Sequence, residues 1–174
     1  MTNTTAKMNP NANNGPAAAA ARDHVGQILN HALADEFALS AATRDYHWNV
    51  TGPHARSLHE VFDEQYHQLD QWIERIGERA RTLGVTPRAG WRELIKARRF
   101  KPAPGAGLSA DQMIAGLIAL HECLAERLRG DVEECAARLG ETSAARLLGE
   151  LVEYHETTAW MLGELLEDRA LAQA

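Results

Sequence analysis

The chain has 174 residues and a formal net charge of -6, from 24 acidic and 18 basic residues. Its length suits one domain with its own core, and the acidic balance excludes a surface built throughout to attract polyanions, so any contact with nucleic acid must be local. Cys123 and Cys135 would lie about 18 Å apart on one helix and cannot form a disulfide bond with each other. The sequence also has no apolar run long enough to span a membrane and no signal-peptide pattern. These three observations predict a cytoplasmic protein.

The N-terminal segment, residues 1–17, is rich in Asn and Thr, contains two prolines and has few large apolar side chains. This composition predicts a disordered tail. The remaining residues, 18–170, are expected to form the folded domain.

Two long amphipathic segments follow the tail. In the first, apolar residues recur at helical spacing from Val25 to Phe37, and the helix is expected to end near residues 51–53. The second spans residues 54–83 and stops at Gly84. Its apolar stripe consists of Leu58, Phe62, Tyr66, Leu69, Ile73 and Ile76.

The second half of the chain begins with a short helix predicted at residues 90–99 and a loop rich in Pro and Gly. Two further long helical segments follow. Ser109 is the expected N-cap of a third long helix that runs to about residue 139, and Gly140 separates it from a fourth. We therefore predict an all-α four-helix bundle with a short extra helix between the second and third long helices.

The sequence also predicts which large or polar side chains are buried. We expect three residues in the core, Phe37, Trp160 and Met161. We expect five histidines in solvent: His24, His31, His54, His121 and His155.

Candidate metal ligands lie along one side of the apolar stripe of the second helix. His59 and Asp63 are four residues apart, as are Glu74 and Glu78, so the members of each pair stand on consecutive turns. Mixed imidazole and carboxylate ligands suit iron, manganese or zinc. However, His59 and Glu74 are about 22 Å apart along the helix axis, too far to bind one ion.

A two-fold axis near residues 68 and 69 would close such a site. Two antiparallel copies of the helix would bring the His59 end of one chain level with the Glu78 end of the other, which creates two identical sites per dimer. His47, one short turn before the second helix, is expected at the His59 end. Glu64 and His67 form a single Glu-x-x-His motif, and we interpret them as surface residues because ferritin-type sites within one subunit need two such motifs.

The stretch "HWNVTGPHARSLHEVFDEQ" followed by "ERIGERARTLG" resembles the Dps family, the DNA-protection proteins of starved cells. The resemblance covers about residues 25–165, including the short helix. It implies a ferritin-like bundle, assembly into a hollow dodecamer, and a di-iron ferroxidase site shared across the two-fold interface. The ligands that it implies are His47, His59, Asp63, Glu74 and Glu78; the family usually has Asp at the position of Glu74.

The resemblance also implies roles for two further residues. Trp48 looks like the family tryptophan that intercepts oxidising equivalents beside the iron site, and packing at an interface explains it equally well. Glu141 is a candidate for an acidic iron-entry pore, with Asp131, Glu133 and Glu134 nearby and Arg146 interrupting the acidic character.

The activity implied by the resemblance is oxidation of Fe(II), with hydrogen peroxide preferred over dioxygen, and storage of ferric mineral, which protects DNA and the cell from oxidative damage. Zinc is a candidate substitute metal. Two alternatives stay open: a non-catalytic, DNA-compacting cage with a structural metal, and a di-iron oxygenase, against which the single Glu-x-x-His argues.

DNA binding has limited support in the sequence. The tail offers only Lys7, while Arg92, Lys96, Arg98, Arg99 and Lys101 form a better local patch, which a solvated helix also explains. If DNA is bound, the protein would be nucleoid-associated.

Overall fold

The computed structural model describes residues 15–171, and these residues form helices and loops without a strand. The helices are α1 (Pro16–Asn49), α2 (Ala55–Thr82), α3 (Trp91–Ala97), α4 (Ala110–Glu133) and α5 (Thr142–Leu171). A π-helical turn, Glu134–Arg138, continues α4 directly. The predicted all-α class, with a short helix between the second and third long helices, is confirmed.

Helix α1 begins earlier than the sequence suggests. Pro16 occupies the first helical turn, where its fixed φ fits the helix and its missing N–H leaves no hydrogen bond unmade. Pro16 and Ala17 are therefore helical and Gly15 is the N-cap, whereas residues 1–14 of the predicted tail lie outside the described residues.

The ends of the long helices follow local signals in the sequence. Gly84 has φ +77, a conformation that favours glycine, and lets the Val85 N–H donate back to the Ala80 carbonyl at 2.9 Å. At the start of α4, the Ser109 hydroxyl accepts from the Gln112 N–H at 3.2 Å, and the Gln112 amide oxygen accepts from the Ser109 N–H at 2.8 Å. This capping box confirms Ser109 as the N-cap.

The four long helices form two hairpins. Helix α1 packs along α2, and α4 packs along α5. The long connection between the hairpins carries α3, which packs against α1. The Asn30 side chain holds this connection in place, because its amide oxygen accepts from the Arg88 N–H at 2.7 Å while its amide nitrogen donates to the Thr86 carbonyl at 3.3 Å.

The core of the bundle consists of two apolar clusters. One includes Leu29, Ile76 and Leu148, and the other includes Phe62 and Leu117. Three buried polar side chains lie along the bundle where the two clusters meet. They are Glu36 of α1, His121 of α4 and His155 of α5, and none has exposed surface. We call these three residues the polar layer.

The polar layer corrects two of the solvent assignments. His121 and His155 were expected in solvent, but each occupies a position on the buried stripe of its helix, in step with Leu117 and Leu124 on α4 and with Leu151 and Leu162 on α5. The helical periodicity placed these positions in the core, and the polar residue type obscured that signal.

The structure also corrects the assignment of two large side chains to the core. Trp160 and Met161 are 63% and 60% exposed, because they lie beside the stripe formed by Ala159 and Leu162 and not on it. Phe37 is half-buried against the first apolar cluster.

Among the helices of residues 15–171, none combines the length and the apolar character that a membrane-spanning segment needs.

Candidate metal centre

His47 near the end of α1 and His59 in the first turns of α2 lie face to face. Their ring centroids are 3.5 Å apart with an interplanar angle of 23°. The loop between α1 and α2 is short, so it returns the chain directly and brings these two residues, twelve positions apart in sequence, into contact. His47 is buried, whereas His59 is exposed on the outer side of the pair.

Reciprocal hydrogen bonds determine the tautomer of both rings. The Nδ1 of His47 lies 3.0 Å from the His59 carbonyl oxygen, and the Nδ1 of His59 lies 2.9 Å from the His47 carbonyl oxygen. A carbonyl oxygen can only accept, so both Nδ1 atoms must carry the proton. In the neutral rings each Nε2 then holds a lone pair, and no hydrogen bond within residues 15–171 occupies either Nε2. This is the arrangement that a histidine metal ligand requires.

Asp63 lies one turn after His59 on the same side of α2. The Tyr66 hydroxyl donates to Asp63 Oδ1 at 2.5 Å, and the Nε2 of His67 lies 3.8 Å from Oδ2. The Tyr66 hydrogen bond is the largest cause that lowers the pKa of the Asp63 carboxyl. Desolvation, the next largest, opposes it, and the charges of His67, His47 and His59 lower the pKa further. Asp63 is therefore an ionised acceptor beside two imidazole lone pairs.

Asp70 lies on the same side of α2 but is occupied by another partner. Arg44 of α1 forms an ion pair with Asp70 and also donates to the buried Ser40 hydroxyl at 2.6 Å. Ser40 donates to the second oxygen of Asp70 at 3.1 Å. Residues of α1 contact both carboxylate oxygens of Asp70, whereas only one oxygen of Asp63 accepts a hydrogen bond, so Asp63 is the better candidate ligand.

Glu74 and Glu78 do not meet the histidines within one chain. Both are exposed and line a groove of about 680 Å³ whose apolar wall includes Leu33, Phe37 and Ile73. In the part of the chain that the structure describes, no group of three or more His, Cys, Asp or Glu side chains is close enough to hold a metal ion. The candidate ligands of one chain are therefore divided between two places along α2.

Trp48 projects from the surface next to His47, with 73% of its area exposed. An indole of this size in water is typical of a surface that a partner covers.

The acidic residues considered for an entry pore are mostly paired within the chain. Glu141 accepts from Arg79 at 2.8 Å, Asp131 pairs with Arg99 at 2.8 Å, and Glu134 pairs with Arg138 at 2.7 Å. Glu133 is exposed. These ion pairs reduce the net negative charge that this region presents.

Sequence reasoning missed the residues that support the candidate ligands. It assigned Tyr66 to the apolar stripe and did not mention Arg44, yet Tyr66 bonds Asp63, and the Arg44 guanidinium lies 4.3 Å from the centre of the Tyr66 ring. The spacing of Asp63 and Tyr66, three residues apart on one helix face, was a usable signal. The Arg44 contact crosses between helices and has no local signature.

The family model of the ferritin-like domain matches residues 26–172. A low temperature-induced protein of Nostoc sp. (strain PCC 7120) is 37% identical over 150 residues, which are 86% of this chain and 84% of that protein. DNA protection during starvation protein 2 of Bacillus anthracis is 30% identical over 140 residues, 80% of this chain and 94% of that protein.

Solved structures agree with the sequence comparison. Dps from Thermosynechococcus elongatus superposes with a TM-score of 0.78 at 29% identity, covering 84% of this chain and 92% of that one. A Dps protein from Bacillus brevis gives 0.80 at 26% identity, covering 84% and 97%. With the bundle, its extra helix and these relatives in agreement, the chain belongs to the Dps family of ferritin-like proteins.

Proposed function

We propose that this chain assembles into a hollow dodecamer that oxidises Fe(II), with hydrogen peroxide in preference to dioxygen, and stores the ferric product as mineral. The observation that carries the proposal is the His47 and His59 pair, whose protonated Nδ1 atoms leave both Nε2 lone pairs available beside the Asp63 carboxylate. A similar solved structure, from Vibrio cholerae, is described as a member of the ferritin-like diiron-carboxylate superfamily.

The division of the candidate ligands along α2 supports a site shared by two chains. The pair His59 and Glu78 and the pair Asp63 and Glu74 have the same midpoint, between residues 68 and 69. A two-fold axis at that midpoint places both carboxylates of one chain opposite the histidine end of the other. The apolar wall of the groove beside Glu74 and the exposed Trp48 provide surface for such a contact.

The donor set suits iron as a substrate. Imidazole and carboxylate both bind Fe(II), and carboxylates stabilise Fe(III) more strongly because a hard anion interacts better with the higher charge. Two Fe(II) ions each give one electron to hydrogen peroxide, the O–O bond breaks, and the Fe(III) ions hydrolyse to oxyhydroxide with release of protons. Glu74 is one methylene longer than the Asp usual in the family, so we expect its carboxylate to reach further across the interface.

We also propose that Trp48 intercepts oxidising equivalents that escape this reaction. Its neighbour in the chain is His47, and its exposed indole is accessible to such species unless a partner chain covers it. Replacing Trp48 with Phe should leave Fe(II) oxidation intact and increase hydroxyl-radical adducts in a spin-trapping assay. If the adducts do not increase, Trp48 has only a packing role.

Peroxide-dependent Fe(II) oxidation tests the main proposal. The wild-type protein is compared with the double variant His59→Ala, Asp63→Ala and with a matched control, His54→Ala, Glu64→Ala, which removes an exposed histidine and an exposed acid from the same stretch. We expect rapid oxidation and iron loading by wild type and control, loss of both in the ligand variant, and the same particle mass for all three. A wild-type cage that shows no catalysed oxidation contradicts the proposal.

Complementation between chains tests the shared site. The variant His59→Ala, Asp63→Ala is co-assembled with Glu74→Gln, Glu78→Gln, each inactive alone. A mixed dimer has one site with all its ligands intact, so random mixing should restore about a quarter of the wild-type sites. If the ligands all came from one chain, mixing would restore nothing.

DNA binding is a second candidate, supported by the surface around α3. Five cations there, Arg88, Arg92, Lys96, Arg98 and Lys101, have no ion pair within the described residues, and a relative is named for DNA protection. The charge reversal Arg92→Glu, Lys96→Glu should abolish retardation of plasmid DNA at low salt, because phosphate contacts supply the affinity. If the wild-type protein does not retard DNA at low salt, this candidate fails.

A further inference from the structure

We propose that Tyr66 is a positioning residue that restricts Asp63 to metal binding through Oδ2 alone. The inference rests on the proposed function, because it concerns the same site. Its starting point is the short hydrogen bond, 2.5 Å, from the Tyr66 hydroxyl to Asp63 Oδ1. A hydroxyl that donates to an ionised carboxylate at this distance makes a strong, charge-assisted hydrogen bond.

The Tyr66 ring is held from several sides. The Arg44 guanidinium lies 4.3 Å from the ring centre, the His47 ring meets it edge-on with centroids 5.5 Å apart, and the His67 ring is tilted against it at 4.5 Å. Arg44 is itself held by Ser40 and Asp70. The tyrosine hydroxyl therefore has little freedom to leave Asp63.

The consequence concerns the geometry of the carboxylate. With Oδ1 engaged by Tyr66, the plane of the Asp63 carboxyl is defined. Oδ2, which the His67 Nε2 approaches only to 3.8 Å, beyond hydrogen-bond distance, is the oxygen that remains for a cation. Without the hydroxyl, the carboxylate can rotate about its last bond and can present both oxygens. Loss of a group that orients a ligand typically weakens metal binding by about 10–100-fold.

The same contacts connect the two elements that carry the candidate ligands. Arg44 is on α1, three residues before His47, and Tyr66 is on α2, three residues after Asp63. Arg44 binds the Tyr66 ring and pairs with Asp70, so it ties α1 to α2 beside the site. We therefore expect a change at Arg44 to affect the site in the same direction as a change at Tyr66, but less strongly.

Cobalt binding to the assembled, metal-free protein tests the inference. Co(II) is chosen because its visible spectrum reports the coordination of the ion and because it can be titrated without oxidation chemistry. The variant is Tyr66→Phe, and the matched control is Tyr154→Phe, which removes a tyrosine hydroxyl from α5, beside the polar layer and outside the candidate site. We expect Tyr66→Phe to raise the Kd by about 10–100-fold and to alter the cobalt spectrum, with unchanged particle mass, while the control binds as wild type does.

A second variant, Arg44→Lys, keeps the positive charge and the Tyr66 hydroxyl but loses the planar contact with the ring. Its Kd should lie between those of wild type and Tyr66→Phe. If Tyr66→Phe or Arg44→Lys assembles and binds Co(II) with the affinity and spectrum of wild type, the positioning role is overturned.

His59→Ala separates this result from a failure of the proposed function. If the wild-type protein binds Co(II) and His59→Ala does not, the shared site exists and the Tyr66 result concerns positioning alone. If binding by the wild-type protein does not depend on His59, the proposed site is overturned and the role of Tyr66 with it.

Discussion

The Nε2 of His155 lies 3.0 Å from Oε1 of Glu36, and neither side chain has exposed surface. The other ring nitrogen of His155, Nδ1, lies 2.9 Å from Nδ1 of His121. The ring centroids of the two histidines are 5.1 Å apart, close to the value for two rings aligned along an N–H···N hydrogen bond. The geometry fits an N–H···N hydrogen bond between the two rings, and the polar layer is a hydrogen-bonded chain from α1 through α5 to α4.

The polar layer should be stable only as a complete set. Glu36→Leu leaves His155 buried without its acceptor, and breaking a buried pair in this way costs about 3–5 kcal/mol. The triple variant Glu36→Leu, His121→Leu, His155→Leu removes the polar groups together and should recover most of that loss. Urea denaturation of the assembled protein, at one fixed protein concentration because assembly contributes to stability, measures both. A single variant as stable as wild type would contradict this view.

The polar layer also predicts a loss of stability in mild acid. Burial, followed by the charge of His155, holds the pKa of His121 well below its ordinary value of 6.5. The unfolded chain takes up this proton near pH 6.5 while the folded chain does not. The contribution of a neutral His121 is therefore fully present above that pH and is lost as the pH falls below it.

The slope of stability against pH measures this effect. The part due to His121 should approach about 1.4 kcal/mol per pH unit below pH 6.5, and His121→Gln should remove it whatever the overall stability of the variant. The exposed His54 provides the control, since His54→Gln should keep the wild-type slope. Equal slopes for His121→Gln and wild type would show that the folded protein binds the proton after all.

Arg99 is expected to act in stability and not in DNA binding. Its guanidinium pairs with Asp35 at 2.6 Å and with Asp131 at 2.8 Å, and Asp35 is only 1% exposed. Arg99→Ala should lower the free energy of unfolding by about 3–5 kcal/mol, because it leaves a buried carboxylate without its cation. Arg98→Ala is the control, with a change within about 0.5 kcal/mol. A small effect of Arg99→Ala would mean that water replaces the guanidinium.

Gly26 is expected to be required for the loop after α2 to pack on α1. A Cβ at this position would lie 2.6 Å from Cγ1 of Val85. Gly26→Ala should therefore destabilise the protein by about 1–3 kcal/mol through overpacking, and adding Val85→Ala should relieve most of the clash. Gly130 of α4 is open to solvent on its Cβ side, so Gly130→Ala should instead stabilise its helix by up to about 1 kcal/mol. Thermal unfolding of the four proteins compares these effects, and equal signs for the two single variants would refute the steric argument.

The sequence was a good guide to the helices because their signals are local. The N-cap at Ser109 and the stop at Gly84 involve residues within one or two turns of each other, and the structure has both. The apolar periodicity placed most of the core correctly. It was misread where residue type and position disagreed, at His121, His155, Trp160 and Met161.

The sequence by itself also determined how the candidate ligands are spaced along α2. A helix rises by a constant amount per residue, so the four-residue pairs and the separation of His59 from Glu74 follow from numbering alone. The proposal of a site shared by two chains depends on that spacing, and the folded chain has the same division.

Only the tertiary structure decided which of the similar side chains are free to bind a cation. Asp63 and Asp70 occupy equivalent positions on one helix face, but Arg44 of α1 engages Asp70, while Tyr66 engages a single oxygen of Asp63. The tautomers of His47 and His59 likewise depend on carbonyl groups of the neighbouring helix. The Tyr66 contact is local to α2, but the Arg44 contact and the two histidine contacts join residues of different helices. The register with which two helices pack is a property of the whole core that no local stretch of sequence contains.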